Sequence, residues 1–272
     1  MSASLLLAGL YPPVGIQLWN PDLKWQPIPV HATPFECDSM IIVNKPCALL
    51  SEEYVQWKAV LEKKLDGHQE FLTNLSRNTG LNVETMDDVY FIYDNIMIVE
   101  EQGLTLPKWV QGVREKLYSF GKVRAMENFM SPTMKKLLSG VLINNILSNM
   151  KKKTDTKEAF DRRLNLYSAH DTTLVRVWRA MNITGEITER PPYGAALIFE
   201  LHDVNGKYRV KILYKGSYFD ENLTVMKING CNYDTASKQD EMCDFDTFTA
   251  ALEDAAIDDF EKACQVSGNA NS

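Results

Sequence analysis

Apolar positions change their period several times along the chain, and each change predicts an element. Tyr54, Trp57, Leu61 and Leu65 recur at helical spacing, and a second apolar segment runs from Val89 to Val99, so residues 50–130 are expected to be mainly helical. Ser131-Pro132 has the chemistry of a helix start, a hydroxyl N-cap followed by a proline in the first turn. Leu138, Val141, Leu142 and Ile146 would be the buried stripe of that helix. Leu164-Asn165-Leu166-Tyr167-Ser168 reads as a short, largely buried strand, and Ala169-His170-Asp171 as the tight turn after it. Leu174, Val177, Trp178 and Met181 then fall at i, i+3, i+4 and i+7, which predicts an amphipathic helix. Leu197, Phe199 and Leu201 alternate with polar neighbours, Asn205-Gly206 carries a strong hairpin signal, and Tyr208, Val210, Ile212 and Tyr214 alternate on the return. Phe245, Phe248 and Leu252 mark a last helix.

The amino end is less regular. Met1–Pro13 has an apolar run but no basic residue before it, so it reads as a helix rather than a signal peptide. Its abrupt apolar start is expected to mean that chain once preceded it. Residues 15–45 are proline-rich and predict loop and edge strand, because the prolines at 27 and 29 lack the N–H that a central ladder needs. Helix and strand signals mixed in this order predict an α/β fold, a sheet with a helical insertion or cap.

Composition narrows the partners. The 272 residues are enough to bury a sizeable core, and 45% apolar with 24% charged residues is ordinary for a globular chain. A net charge of −7 argues against nucleic acid and against anionic membrane surfaces. No apolar run reaches the length of a membrane span. Lys151-Lys152-Lys153-Thr154-Asp155 reads as a solvated loop. Five cysteines without a CxxC pair do not form a zinc pattern. Three glycosylation sequons, at Asn74, Asn182 and Asn222, lean toward the secretory pathway, where disulfides form. An odd cysteine count leaves at least one thiol unpaired within the chain.

The candidate chemistry is the His170-Asp171 pair. It is predicted at the carboxyl end of a strand and the amino end of a helix, where open α/β sheets bind ligands. Free N–H groups and the helix dipole there suit an anion such as phosphate. A plain helix start, with Asp171 as an acidic cap and His170 packed beside it, fits the same residues. A metal-dependent phosphohydrolase would need further ligands, and His31, His68 and His202 do not have that spacing. No GxSxG elbow, P-loop or GxGxxG occurs.

Leu166-Tyr167-Ser168-Ala169-His170-Asp171-Thr172-Thr173-Leu174 closely resembles the C-terminal signature of histidine acid phosphatases, in particular their animal prostatic and lysosomal branch. Leu10-Tyr11-Pro12-Pro13, Trp19-Asn20-Pro21, Trp25-Gln26-Pro27-Ile28-Pro29-Val30-His31, Leu106-Pro107-Lys108-Trp109, Gly140-Val141-Leu142 and Pro191-Pro192-Tyr193-Gly194-Ala195 fall in the family's order. The resemblance covers about residues 3–265. It implies a histidine-phosphatase (phosphoglycerate-mutase-like) doubly wound α/β sheet with a helical cap. The core would be residues 1–48 and 131–272, and the cap 49–130. It implies hydrolysis of small phosphate monoesters through a phosphohistidine without a cofactor or metal. His170 would bind phosphate and Asp171 would be the general acid, with an acidic pH optimum. It also implies disulfides Cys47–Cys264 and Cys231–Cys243 with Cys37 left over, a secreted or lysosomal location, and a homodimer as one assembly.

One departure matters. The family's nucleophile lies in an Arg-His-Gly-x-Arg-x-Pro motif, and no Arg-His-Gly occurs in this chain. No residue can be matched to the nucleophilic histidine or to the three phosphate-binding arginines. The expectation is an N-terminally truncated form that lacks a central strand and is unstable or oligomeric by itself. The alternative is a secreted protein without catalysis that binds phosphorylated ligands or a partner on the same scaffold.

Overall fold

The computed structural model describes residues 1–155, 161–185, 189–233 and 241–265. In chain order the helices are α1 (Ser2–Leu10), α2 (Ala48–Glu62), α3 (Gln69–Thr79), α4 (Met86–Glu101), α5 (Arg114–Ala125), α6 (Pro132–Thr154), α7 (Asp171–Ala180), α8 (Phe245–Leu252) and α9 (Phe260–Ala263). The strands are β1 (Ile183–Thr184), β2 (Ala196–Val204), β3 (Lys207–Lys215), β4 (Thr224–Ile228) and β5 (Cys243–Asp244). The class is mixed α/β, a helical part and a sheet.

Local chemistry explains the starts of the long helices. Thr85 and Asp88 close a capping box on α4, with Thr85 Oγ1 accepting from Asp88 N at 3.1 Å. Ser131 Oγ accepts from Met134 N at 2.9 Å and Pro132 opens α6. The stripe of α6 lies slightly off the expected one: Leu138 and Leu142 are buried with Ile143, Leu147 and Met150, while Val141 and Ile146 are half-buried. Helices α4 and α5 approach closely at Gly121, where a Cβ would stand 2.1 Å from the Tyr93 ring. Only glycine fits there.

The hairpin forms as patterned. Phe199 pairs with Ile212 and Leu201 with Val210, and Asn205-Gly206 turn with φ of 55° and 78°. The sheet order is β1-β4-β3-β2, with β5 on β3 beside β4, and every described pair is antiparallel.

Two apolar cores share α6. One lies among α2–α5 with Met134, Leu137 and Leu138 from α6 and Phe260 from α9. The other joins Leu142, Ile143, Leu147 and Met150 of α6 to α7, the sheet and α8. Disulfide Cys47–Cys264 ties the start of α2 to the end of α9, and Cys231–Cys243 joins β5 to the loop after β4. Cys37 is free and exposed.

Two expected strands do not form. Residues 164–168 join no ladder, and Leu164 and Leu166 are exposed rather than buried. No described strand runs beside them to pair their N–H and C=O groups. The proline-rich segment 15–45 contains only two short 3-10 turns and no edge strand. The helix predicted at the amino end is α1, and it buries no residue. Among the described residues no helix is long and apolar enough to cross a membrane.

Candidate active site

The site is built around the amino end of α7. Leu174, Val177, Trp178 and Met181 were expected to form its apolar face. Leu174 is only half-buried, while Thr173, Val175 and Arg176 are buried with Val177 and Trp178. The helix is therefore covered on most sides, which fixes the direction of its first turn.

Three segments hold it. The first is the turn at Asp38, a buried carboxylate that accepts from Met40 N at 2.8 Å and from Ile41 N and Ile42 N at 2.9 Å each. Burial by itself would raise the Asp38 pKa, but these N–H groups and the nearby His170 imidazole outweigh it and hold the carboxyl below its ordinary value. Thr173 Oγ1 donates to Ile41 O at 3.2 Å, and Arg176 Nη1 to Ile42 O at 3.2 Å. The second is the loop before α6. Arg176 grips Glu127 with two parallel bonds, Nε to Oε2 at 2.6 Å and Nη2 to Oε1 at 2.7 Å, and Glu127 is 1% exposed. Arg179 donates to Met126 O at 2.9 Å and to Asn128 Oδ1 at 2.6 Å. Glu127 and Phe129 have φ of 44° and 67°, a backbone state that non-glycine residues adopt only when surroundings enforce it. The third is Arg190, which reaches Asp171 with Nε and Asp94 of α4 with Nη1.

His170 occupies the N-cap position with extended backbone and an exposed side chain. Its backbone N donates to Thr173 Oγ1 at 3.4 Å, and no cap bond engages the imidazole. Asp171 is half-buried; its Oδ1 accepts from Thr172 N at 2.7 Å and its Oδ2 from Arg190. Burial would weaken Arg190 as a base, but the Asp171 and Asp94 carboxylates raise its pKa overall. Tyr90 of α4 also lies in this field, its phenol pushed up by burial and by the Asp171 charge. The arrangement places a carboxyl paired with a guanidinium next in the chain to an open imidazole at a helix amino end.

The remaining histidines stand elsewhere, each with its own surroundings. His31 is exposed in the proline-rich segment, His68 packs edge-on against Phe120 at 5.1 Å, and His202 Nε2 lies 2.9 Å from Glu200 on β2. Among the described residues no cluster of His, Cys, Asp and Glu could hold a metal ion. Asn74, Asn182 and Asn222 are all exposed. Asp38, Asp94, Glu127, Arg176 and Arg190 escaped the sequence reading. Arg190 directly before Pro191-Pro192 was the one with a local signal, since the two prolines stiffen the backbone after it.

The family model "Histidine phosphatase superfamily (branch 2)" matches residues 1–215. The chain is 33% identical over 230 residues to the prostatic acid phosphatase of Bos taurus, covering 79% of this chain and 57% of that protein. It is 29% identical over 284 residues to the Rattus norvegicus prostatic acid phosphatase (99% of this chain, 69% of that protein). It is 29% identical over 276 residues to the Homo sapiens lysosomal acid phosphatase (98% of this chain, 62% of that protein). The chain therefore spans between about half and two thirds of the length of these relatives.

Proposed function

The chain belongs to the histidine phosphatase superfamily (branch 2), and from that premise we propose that it carries the phosphate-holding and proton-donating half of an acid phosphatase for small phosphate monoesters. One observation carries the reading: His170 is open to solvent at the N-cap of α7, with Asp171 beside it on the same first turn. A protonated imidazole and the positive end of a ten-residue helix both attract a phosphoryl group. Phosphoryl transfer depends mostly on positioning and on cations at the phosphoryl oxygens. His170 supplies such a cation. As an attacking nucleophile bonds to phosphorus and the ester P–O bond breaks, Asp171 gives its proton to the leaving alcohol's oxygen, so the alcohol departs neutral. An acidic optimum follows, because Asp171 must carry that proton beforehand.

A histidine nucleophile is not provided by His31, His68 or His202, whose contacts lie elsewhere. This favours, as a second reading for the chain by itself, binding of phosphorylated ligands without turnover. The two disulfides suit a secreted or lysosomal compartment in either case. The test measures hydrolysis of p-nitrophenyl phosphate from pH 4 to 7, and phosphate binding by calorimetry, on the intact chain. Catalysis predicts turnover that peaks below neutrality and drops about 100-fold in Asp171→Asn. Binding without turnover supports the second reading. Absence of both sinks the assignment.

A further inference from the structure

Arg190 lies outside the signature nonamer, yet it holds the carboxylate of Asp171. An arginine presents five N–H donors in a rigid fork. Here Nε serves Asp171 and Nη1 serves Asp94, and Nη2 makes no hydrogen bond among the described residues. The fork is unsaturated. Asp171 accepts from it through one oxygen only, because its other oxygen faces Thr172 N. Two carboxylates share a single guanidinium, so the ionised trio carries one excess negative charge. The side chains are 16%, 23% and 26% exposed for Arg190, Asp171 and Asp94, which leaves water and small solutes a way in.

A phosphoryl anion offers what Asp171 does not: several oxygens set to take two parallel bonds from the fork. If it sits on His170, as proposed above, it arrives next in the chain to Asp171 and its arginine. We infer that Arg190 is a further phosphate-binding side chain, held in reserve by Asp171 and Asp94, and that the incoming phosphoryl group takes the fork away from Asp171. The exchange has a chemical result. Asp171 loses its cation and gains an anionic neighbour, and both changes favour its protonated form. The proton donor is thus charged by arrival of the group that needs it. The other groups in this field are Asp94 and Tyr90 from α4, Arg176 further along α7, and His170 itself, and none of these donates to the Asp171 carboxylate.

The inference rests on the His170 reading, and the experiment separates the two. Inorganic phosphate is titrated calorimetrically into the intact chain and into Arg190→Met, Arg190→Lys, Asp94→Asn and His170→Asn. Arg190→Met is expected to weaken binding at least tenfold, Arg190→Lys to restore only part of it, and Asp94→Asn to tighten it severalfold by removing a competitor. Carbon-13 NMR of the Asp171 carboxyl at a fixed acidic pH should show its resonance moving upfield, toward the protonated form, at saturating phosphate in the unmodified chain, and moving less in Arg190→Met. Weaker binding in His170→Asn with unchanged binding in Arg190→Met overturns the Arg190 inference and leaves the site reading intact. No phosphate binding by the unmodified chain overturns both. Should Arg190→Met fail to fold, Asp94→Asn decides: unchanged or weaker affinity there overturns the inference.

Discussion

Within the ten residues of α7, two arginine–carboxylate pairs meet different surroundings. At its middle, Arg176 meets Glu127, which is 1% exposed; both carboxylate oxygens are used, and the third guanidinium nitrogen donates to the Ile42 carbonyl. At its first residue, the more open Asp171 carboxylate shares an arginine with Asp94, and part of that fork is unused among the described residues. A buried pair with both carboxylate oxygens and all three guanidinium nitrogens engaged fixes geometry. Removing either member strands a charge in a medium that solvates it poorly. A half-open pair costs little to break, because water replaces what is lost. The difference teaches that α7 is clamped at its base and free to exchange partners at its tip, which is what a site needs: a rigid support under adaptable chemistry.

The comparison is open to attack at both ends. The largest effect is expected from Glu127→Gln, which should lower the unfolding free energy by about 3–5 kcal/mol in urea titration followed by circular dichroism. Adding Arg176→Met should recover much of it, since the stranded charge is then removed as well. A loss below about 1 kcal/mol for Glu127→Gln would make the two ends alike and break the comparison. Arg179→Met, which frees the Met126 carbonyl and Asn128, is expected to cost about 1.5–3 kcal/mol by the same measurement.

Asp38→Asn sharpens the comparison through pH. The folded Asp38 pKa lies below the ordinary value near 3.8, so its carboxylate stabilises the fold above that value and the benefit fades as pH falls through the lower folded one. The variant should therefore lose about 1 kcal/mol at pH 6 and match the parent at the lowest pH where both remain folded. A constant difference at every pH would show that the ionised form is not what matters. The smallest stability effect belongs to Asp171→Asn, less than about 1 kcal/mol, even though it removes the proposed proton donor. A penalty comparable to that of Glu127→Gln would turn Asp171 into a structural residue.

How much of this could be read from the chain follows from the range of each interaction. The hairpin at Asn205-Gly206 and the starts of α6 and α7 depend on neighbours within a few residues, so pattern and capping chemistry suffice. The expected strand at 164–168 has the right local pattern, but a strand also requires a partner, and none stands beside it among the described residues. The face of α7 was misjudged at Arg176 because a charge is expected outside. Its burial becomes affordable only with Glu127, 49 positions away.

By itself the sequence determined the order and type of most helices, the hairpin, the family, and the placing of His170 and Asp171 at a helix start. Those features follow from apolar period, capping residues and a specific local motif. Only the tertiary structure decided that Arg190 joins Asp171 to Asp94, that Asp38 turns its backbone against α7, and that Arg176 finds Glu127. Charged partners 19 to 96 residues apart, as in Arg190 with Asp171 and with Asp94, leave no periodic trace along a chain. Their energy depends on distance and burial, and both come into being only when the segments pack.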